Sequence, residues 1–277
     1  MTKYYKLTNQ EDNHHGFQYQ DGLNEDHLPF NETGSCCPGG LYFSDAENIL
    51  QFLHENMYWI REVSPDTEKM VQDPNNDPIK WRSKSLDCQP RKSLSDIDTW
   101  IWMIDQGILN NKKSIDDALK SIDYALQWSS QNGHFDVVKF LVDKFDKQFS
   151  QDSINSSLRW SSDKGHLNVV KFLVDKFDKQ FSQDDIDYAL RWSSDKGHLD
   201  IVKFLVEKFD NFSQDDIDYA LRWSSENGHL EVVKFLVEKF DKFSQNSIDI
   251  DYALKCSSKN GHLEIHNYLK EKLTNRK

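Results

Sequence analysis

No stretch of eighteen consecutive apolar residues occurs in the 277 residues, so no membrane-spanning helix is expected. The opening MTKYYKLTNQEDNHHG has no apolar core of the secretory kind, and with a mean hydropathy of -0.76 the expectation is a soluble, cytoplasmic protein. Basic residues are too few for a phosphate-binding surface. Lys and Arg number 34 against 46 Asp and Glu, a net charge of -12, which argues against nucleic acid and against an anionic membrane face as partners. Cysteine is scarce: Cys36 and Cys37 are adjacent, and Cys88 and Cys256 are isolated. That is neither a disulfide framework nor a CxxC metal pattern, and reduced thiols are expected. There is no glycine-rich phosphate loop, GxSxG elbow or HExxH helix. The expectation is therefore a chain that is not an enzyme and needs no cofactor and no metal.

What is abundant is repetition. Gly-His recurs at Gly133-His134, Gly165-His166, Gly197-His198, Gly228-His229 and Gly261-His262, at intervals of 32, 32, 31 and 33 residues. The stretches of 29 residues beginning at Ser182 and Ser213 differ at four positions, so duplication made them. Each unit reads as two helices. Ser182, with Asp185 three residues on, predicts an N-cap with acidic groups in the first turn, and equivalent starts are expected near Ser150 and Ser213. Ile186, Ala189, Leu190 and Ser193 follow at i, i+3, i+4 and i+7, one small apolar face. Gly197 predicts a positive φ that ends the first helix. Leu199, Val202, Phe204, Leu205 and Val206 belong to the second, which is expected to finish around Lys208 to Asp210. Neither helix can bury its face alone, so neighbouring units must stack.

The segment GHLEVVKFLVEKF, Gly228 to Phe240, resembles the second half of the ankyrin consensus. The first half departs from it. The family's Thr-Pro-Leu-His lies where this chain has Tyr188-Ala189-Leu190-Arg191, its Ala-Ala pair is Ser193-Ser194, and its hairpin glycine falls on Ile186. The resemblance covers roughly residues 114–277. It implies a mainly α fold, an ankyrin-type α-solenoid of stacked helix pairs. Without a glycine-type turn between units, reduced fingers are expected. By the same resemblance the five Gly-His histidines are structural, bonding backbone at the turn. In the last unit His266 and Lys270 replace the stacking Val202 and Val206, the mark of a C-terminal cap.

Residues 1–92 hold all six prolines, with turn clusters such as Asn31–Gly34 and Pro38-Gly39-Gly40 between short apolar runs. They predict a small β-rich or α+β N-terminal module of unknown function, with one short helix over Ala46 to His54. Residues 93–277 form the expected repeat array. Residues 93–113 make a degenerate first unit, and 114–277 make five Gly-His units. The string from His15 to Phe43, followed by YWIREV, resembles a module that precedes ankyrin arrays in mimivirus-type giant viruses of amoebae. That resemblance implies a viral protein in host cytoplasm and carries no activity.

Few side chains qualify as candidates for chemistry. His14, His15, His27, Cys36 and Cys37 are potential zinc ligands, but their spacing matches no known site, and buried packing of the cysteines is the preferred reading. Asp21, Glu25, Asp26 and Glu32 read as a solvated acidic loop rather than an active site. Trp128, Trp160, Trp192 and Trp223 share one repeat position, with Cys256 in the last unit. They are expected in the inter-repeat core, because the matching family position holds a packed Leu; an exposed aromatic ladder is the alternative. Asp187 and Arg191, with Asn155/Arg159, Asp218/Arg222, Asp123/Gln127 and Asp251/Lys255, predict an ordered acid-and-base row along the first helices. Arg159, Arg191, Arg222, Asp187 and Asp218 are the candidate partner contacts. The function expected is a monomeric, non-catalytic scaffold that binds a protein. Alternatives are a ubiquitin-ligase-type substrate adaptor, for which no F-box-like segment is seen after the last unit, an enzyme with its site in residues 1–92, and a virion component.

Overall fold

A computed structural model of the chain describes residues 2–34, 36–74, 78–109, 115–209, 211–240 and 249–275. It divides into two compact units. The first comprises residues 1–129 and 136–150, the second residues 130–135 and 151–277.

The first unit opens with strands β1 (Tyr4–Thr8), β2 (Asn13–His14), β3 (Phe17–Gln18), β4 (Gly22–Glu25) and β5 (Leu41–Asp45). It continues with β6 (Trp59–Pro65), β7 (Met70–Gln72), β8 (Trp81–Ser83), β9 (Ser85–Cys88) and β10 (Lys92–Ser93). Eight of these build one antiparallel sheet in the order β4-β9-β6-β1-β5-β8-β7, with β10 also paired to β6. β2 and β3 form a hairpin whose central residues, His15 and Gly16, both have positive φ, as a tight primed turn requires. The region is thus β-rich. The helix expected over Ala46 to His54 is a short 3-10 turn at Ile49–Phe52, too brief for an α-helical ladder.

Among the described residues three α-helices follow: α1 (Ile97–Asp105), α2 (Ile115–Gln131) and α3 (Phe135–Phe145). One core joins them to the sheet. Tyr5, Leu7, Leu50 and Ile60 share it with Trp100, Met103, Trp128, Val137 and Leu141, so residues on both sides of position 92 contribute. Each such fully buried side chain contributes about 1.5–3 kcal/mol of transfer free energy. The join at 113/114 lies outside the described residues.

Among its described residues the second unit holds four helix pairs: α4 (Gln151–Asp163) with α5 (Leu167–Phe177), α6 (Gln183–Asp195) with α7 (Leu199–Lys208), α8 (Gln214–Glu226) with α9 (Leu230–Phe240), and α10 (Ile250–Lys259) with α11 (Leu263–Asn275). First helices pack on first helices, and α5, α7, α9 and α11 line up behind them. The core repeats with the sequence: Ile186, Ala189, Leu190, Val202, Leu205 and Val206 are buried with their equivalents from neighbouring pairs. Ser182 accepts from the Asp185 amide in a reciprocal capping box, and Ser213 accepts from Asp216 N. α4 begins one residue after Ser150. The array is a helical solenoid, and among the described residues from 97 onward no strand interrupts it. At the last pair His266 is half-buried and Lys270 exposed.

Candidate partner-binding face

The turns come first, because they set the register of everything else. Gly133, Gly165, Gly197, Gly228 and Gly261 have φ between +71° and +82°. Gly197 N–H donates to Ser194 O and His198 N–H to Ser193 O, at 3.3 and 2.8 Å, which closes the end of α6 in a Schellman motif. The imidazole then reaches back one repeat. Nε2–H of His166, His198, His229 and His262 donates to the carbonyls of Gln131, Asp163, Asp195 and Glu226, at 2.7–2.9 Å. Each acceptor is the last residue of a first helix, a carbonyl without an intrahelical partner. Burial lowers the His166 pKa from its ordinary value, keeping the ring neutral. His134 occupies the first of the five turns and is half-buried.

With register fixed, Tyr188, Arg191 and Trp192 fall at i, i+3 and i+4 on one face of α6, and Tyr219, Arg222 and Trp223 do the same on α8. The tryptophans depart from the expectation of a core ladder. Trp160, Trp192 and Trp223 are 38–41% exposed, and Tyr188, Tyr219 and Tyr252 are 42–46% exposed. The packed positions are taken instead by the adjacent serines, Ser193-Ser194 and Ser224-Ser225, whose small side chains are fully buried. Trp128 alone of the four is buried: it lies 6.0 Å from Trp100 and donates Nε1–H to His54 O.

The acid-and-base row is more interlocked than its spacing implies. Arg191 pairs with Asp216 of the next repeat and lies 4.8 Å from the Tyr219 ring centre. Arg222 lies 4.7 Å from Tyr252 and 4.0 Å from Glu226. Both are half-buried, whereas Arg159 is exposed. Asp187, expected on the open row, is 7% exposed; it accepts from Gln183 Nε2 at 2.7 Å. Burial pushes its pKa up to about 6, Asp216 beside it adding to the rise. Asp218 accepts from Gln214 Nε2 and from Asp249 N–H, each at 2.9 Å, tying one repeat to the start of the next. Asp218 is drawn to the Asp249 backbone amide of the next repeat, a demand that spacing within one helix does not reveal.

The potential ligands of the β-rich region are dispersed. His14 bonds Lys6 Nζ at 2.8 Å and stacks on His15, while Cys36 and Cys37 contact Lys80 and Arg82. Neither cysteine is buried as expected: Cys36 is exposed and Cys37 half-buried, both in the loop before β5, and it is Cys88 that packs in the core. Among the described residues no three His, Cys, Asp or Glu side chains gather as a metal site. No helix among them is long and apolar enough to cross a membrane.

Comparison with known proteins agrees with this architecture. A family model described as ankyrin repeats matches three times, at residues 103–185, 160–251 and 188–276. Three similar proteins come from Acanthamoeba polyphaga mimivirus. Ankyrin repeat protein R868 is 31% identical over 50% of this chain and 66% of its own length. R229 is 34% identical over 44% and 38%, and R896 is 32% identical over 54% and 43%. The chain thus spans less than two thirds of the length of each of these relatives. The matched repeats cover more than half of its residues, and the chain belongs to the ankyrin repeat family.

Proposed function

We propose that this chain is a non-catalytic viral scaffold that holds a protein partner on its row of first helices, in the cytoplasm of an amoebal host. The observation that carries the reading is the exposed file of Tyr188, Trp192, Tyr219, Trp223 and Tyr252 alongside Arg159, Arg191 and Arg222. Tyrosine, tryptophan and arginine are the side chains most enriched at the centres of protein interfaces. A soluble domain that presents large rings at a regular step needs something to cover them. Asp218 supports the face from beneath by accepting from Asp249 N–H of the next repeat, and Asp187 by accepting from Gln183 of its own helix. The partner is a protein with a regularity of its own, a helix, a solenoid or a polymer, which matches the one-repeat step. Residues 1–92 form the N-terminal module, and it serves the array by covering its first unit.

The test replaces Arg159, Arg191 and Arg222 together with Ala and measures partner capture and helical content. Lost capture with unchanged helicity supports the face. Full capture moves the site to the second helices or to residues 1–92. Unfolding assigns Arg191 and Arg222 to inter-repeat stapling, and Arg159→Ala alone then tests the face.

A further inference from the structure

The file of tyrosines has one gap. Tyr124, Tyr188, Tyr219 and Tyr252 occupy the same repeat position, and in the repeat of α4 that position is Ser156. Three of these rings lie over an arginine, Tyr188 and Tyr219 over Arg191 and Tyr252 over Arg222. Arg191 lies 5.7 Å from Tyr188 of its own helix and 4.8 Å from Tyr219 of the next, and is held by Asp216. Arg159 has no such cover. Its contacts are Ser156 Oγ at 3.4 Å and the Trp160 ring at 5.9 Å, and it makes no ion pair among the described residues. The missing ring leaves a notch of about 370 Å³ between α4 and α6, lined by Asp152, Asn155, Ser156, Arg159, Asp185 and Tyr188.

We propose that this notch receives a tyrosine side chain from the protein partner, so that the partner completes the file where the chain itself has serine. The proposal rests on the reading of the first-helix row as the binding face. Its shape and chemistry both favour a ring with a hydroxyl. A ring seated at Ser156 takes the place that Tyr188 takes beside Arg191. It stacks on the bare guanidinium of Arg159, an interaction favoured by the ring quadrupole. The charges in the notch argue against an anionic occupant, since Asp152 and Asp185 outnumber Arg159 and oppose a third carboxylate. A phenol is neutral and carries one donor. Asp152, which has no bond of its own among the described residues, is an acceptor for it. Tyrosine joins an apolar ring to a polar tip, which makes it a common interface anchor.

The full chain is tested by NMR, following the indole N–H of Trp160 (identified with Trp160→Phe) during titration with N-acetyl-tyrosinamide. The controls are the corresponding amides of leucine, arginine and glutamate. The wild type should show a saturable shift with the tyrosine amide and at least tenfold weaker responses to the other three. Ser156→Tyr, which restores the residue present in four other repeats, should abolish the response while keeping the melting temperature at or above wild type. Ser156→Ala should retain it. Arg159→Ala should weaken it several-fold, and this second variant decides the matter if Ser156→Tyr fails to fold. No saturable shift in the wild type, an undiminished one in Ser156→Tyr, or a preference for arginine or glutamate overturns the proposal. Partner capture separates the two readings: loss in the triple arginine variant with full capture by Ser156→Tyr retains the face and refutes the notch.

Discussion

His229 lies against Gly197 so closely that a Cβ on that glycine would stand 2.5 Å from the imidazole Nδ1. The glycine therefore meets two demands at once, a φ of +77° and room for the next repeat's histidine. Gly261, in the last turn, has the same φ, and a Cβ there would have nothing within 4 Å. Backbone strain alone should make Gly261→Ala cost about 1 kcal/mol. Gly197→Ala should cost about 2 kcal/mol or more, because the methyl also displaces His229 from its bond to Asp195 O. Urea denaturation followed by circular dichroism checks the difference, and equal costs would refute the contact.

Stability should respond to pH through two groups of opposite sign. His166 has a lowered pKa because it is buried. Below about pH 6.5 the unfolded imidazole takes up protons more readily than the folded one, so its contribution to stability falls as pH falls. Asp187 is raised to about 6 from an ordinary value of 3.8. Between those values the folded state binds more protons than the unfolded, so stability falls as pH rises through that window. Asp187→Asn should flatten the loss on the way up, and His166→Gln the loss on the way down. Urea midpoints at pH 4.5, 5.5 and 7.5 for the two single variants give the comparison; identical profiles for both and the wild type would contradict these assignments.

One repeat position has two environments. Trp128 is 3% exposed and packs beside Trp100, whereas Trp192 is 41% exposed. Trp128→Ala should cost about 3–5 kcal/mol, the range for emptying an aromatic site in a core. Trp192→Ala should change stability by less than about 1 kcal/mol. Thermal melts of the two variants decide this, and comparable losses would place Trp192 in the core after all.

The helix pairs were legible because their signals are local. A 32-residue Gly-His interval, a Ser-x-x-Asp cap and an apolar face at i, i+3, i+4 need no knowledge of neighbours. What escaped the sequence depends on neighbours. The family's packed Leu suggested that Trp192 was core, but Ser193 and Ser194 let the helices approach closely and leave the ring outside. Asp187 reads as exposed by spacing and is buried because Gln183 satisfies it. The gap at Ser156 is visible in the aligned repeats, yet its meaning appears only once Arg191 is seen enclosed by Tyr188 and Tyr219. In the β-rich region the long-range pairing of β1 with β6, Tyr4 opposite Val63, cannot be read from either strand alone.

Site-specific photo-crosslinking in amoebal host cells shows whether the first-helix row is where a protein partner is held. A photoreactive side chain is placed at Trp192 or Trp223 on the first helices, and in separate variants at Lys171 or Lys203 on the second helices. The expected result is one discrete crosslinked protein shared by positions 192 and 223, reduced at least tenfold at 171 and 203. Crosslinks confined to positions 171 and 203, or absent from 192 and 223 while the partner is still captured, would contradict it.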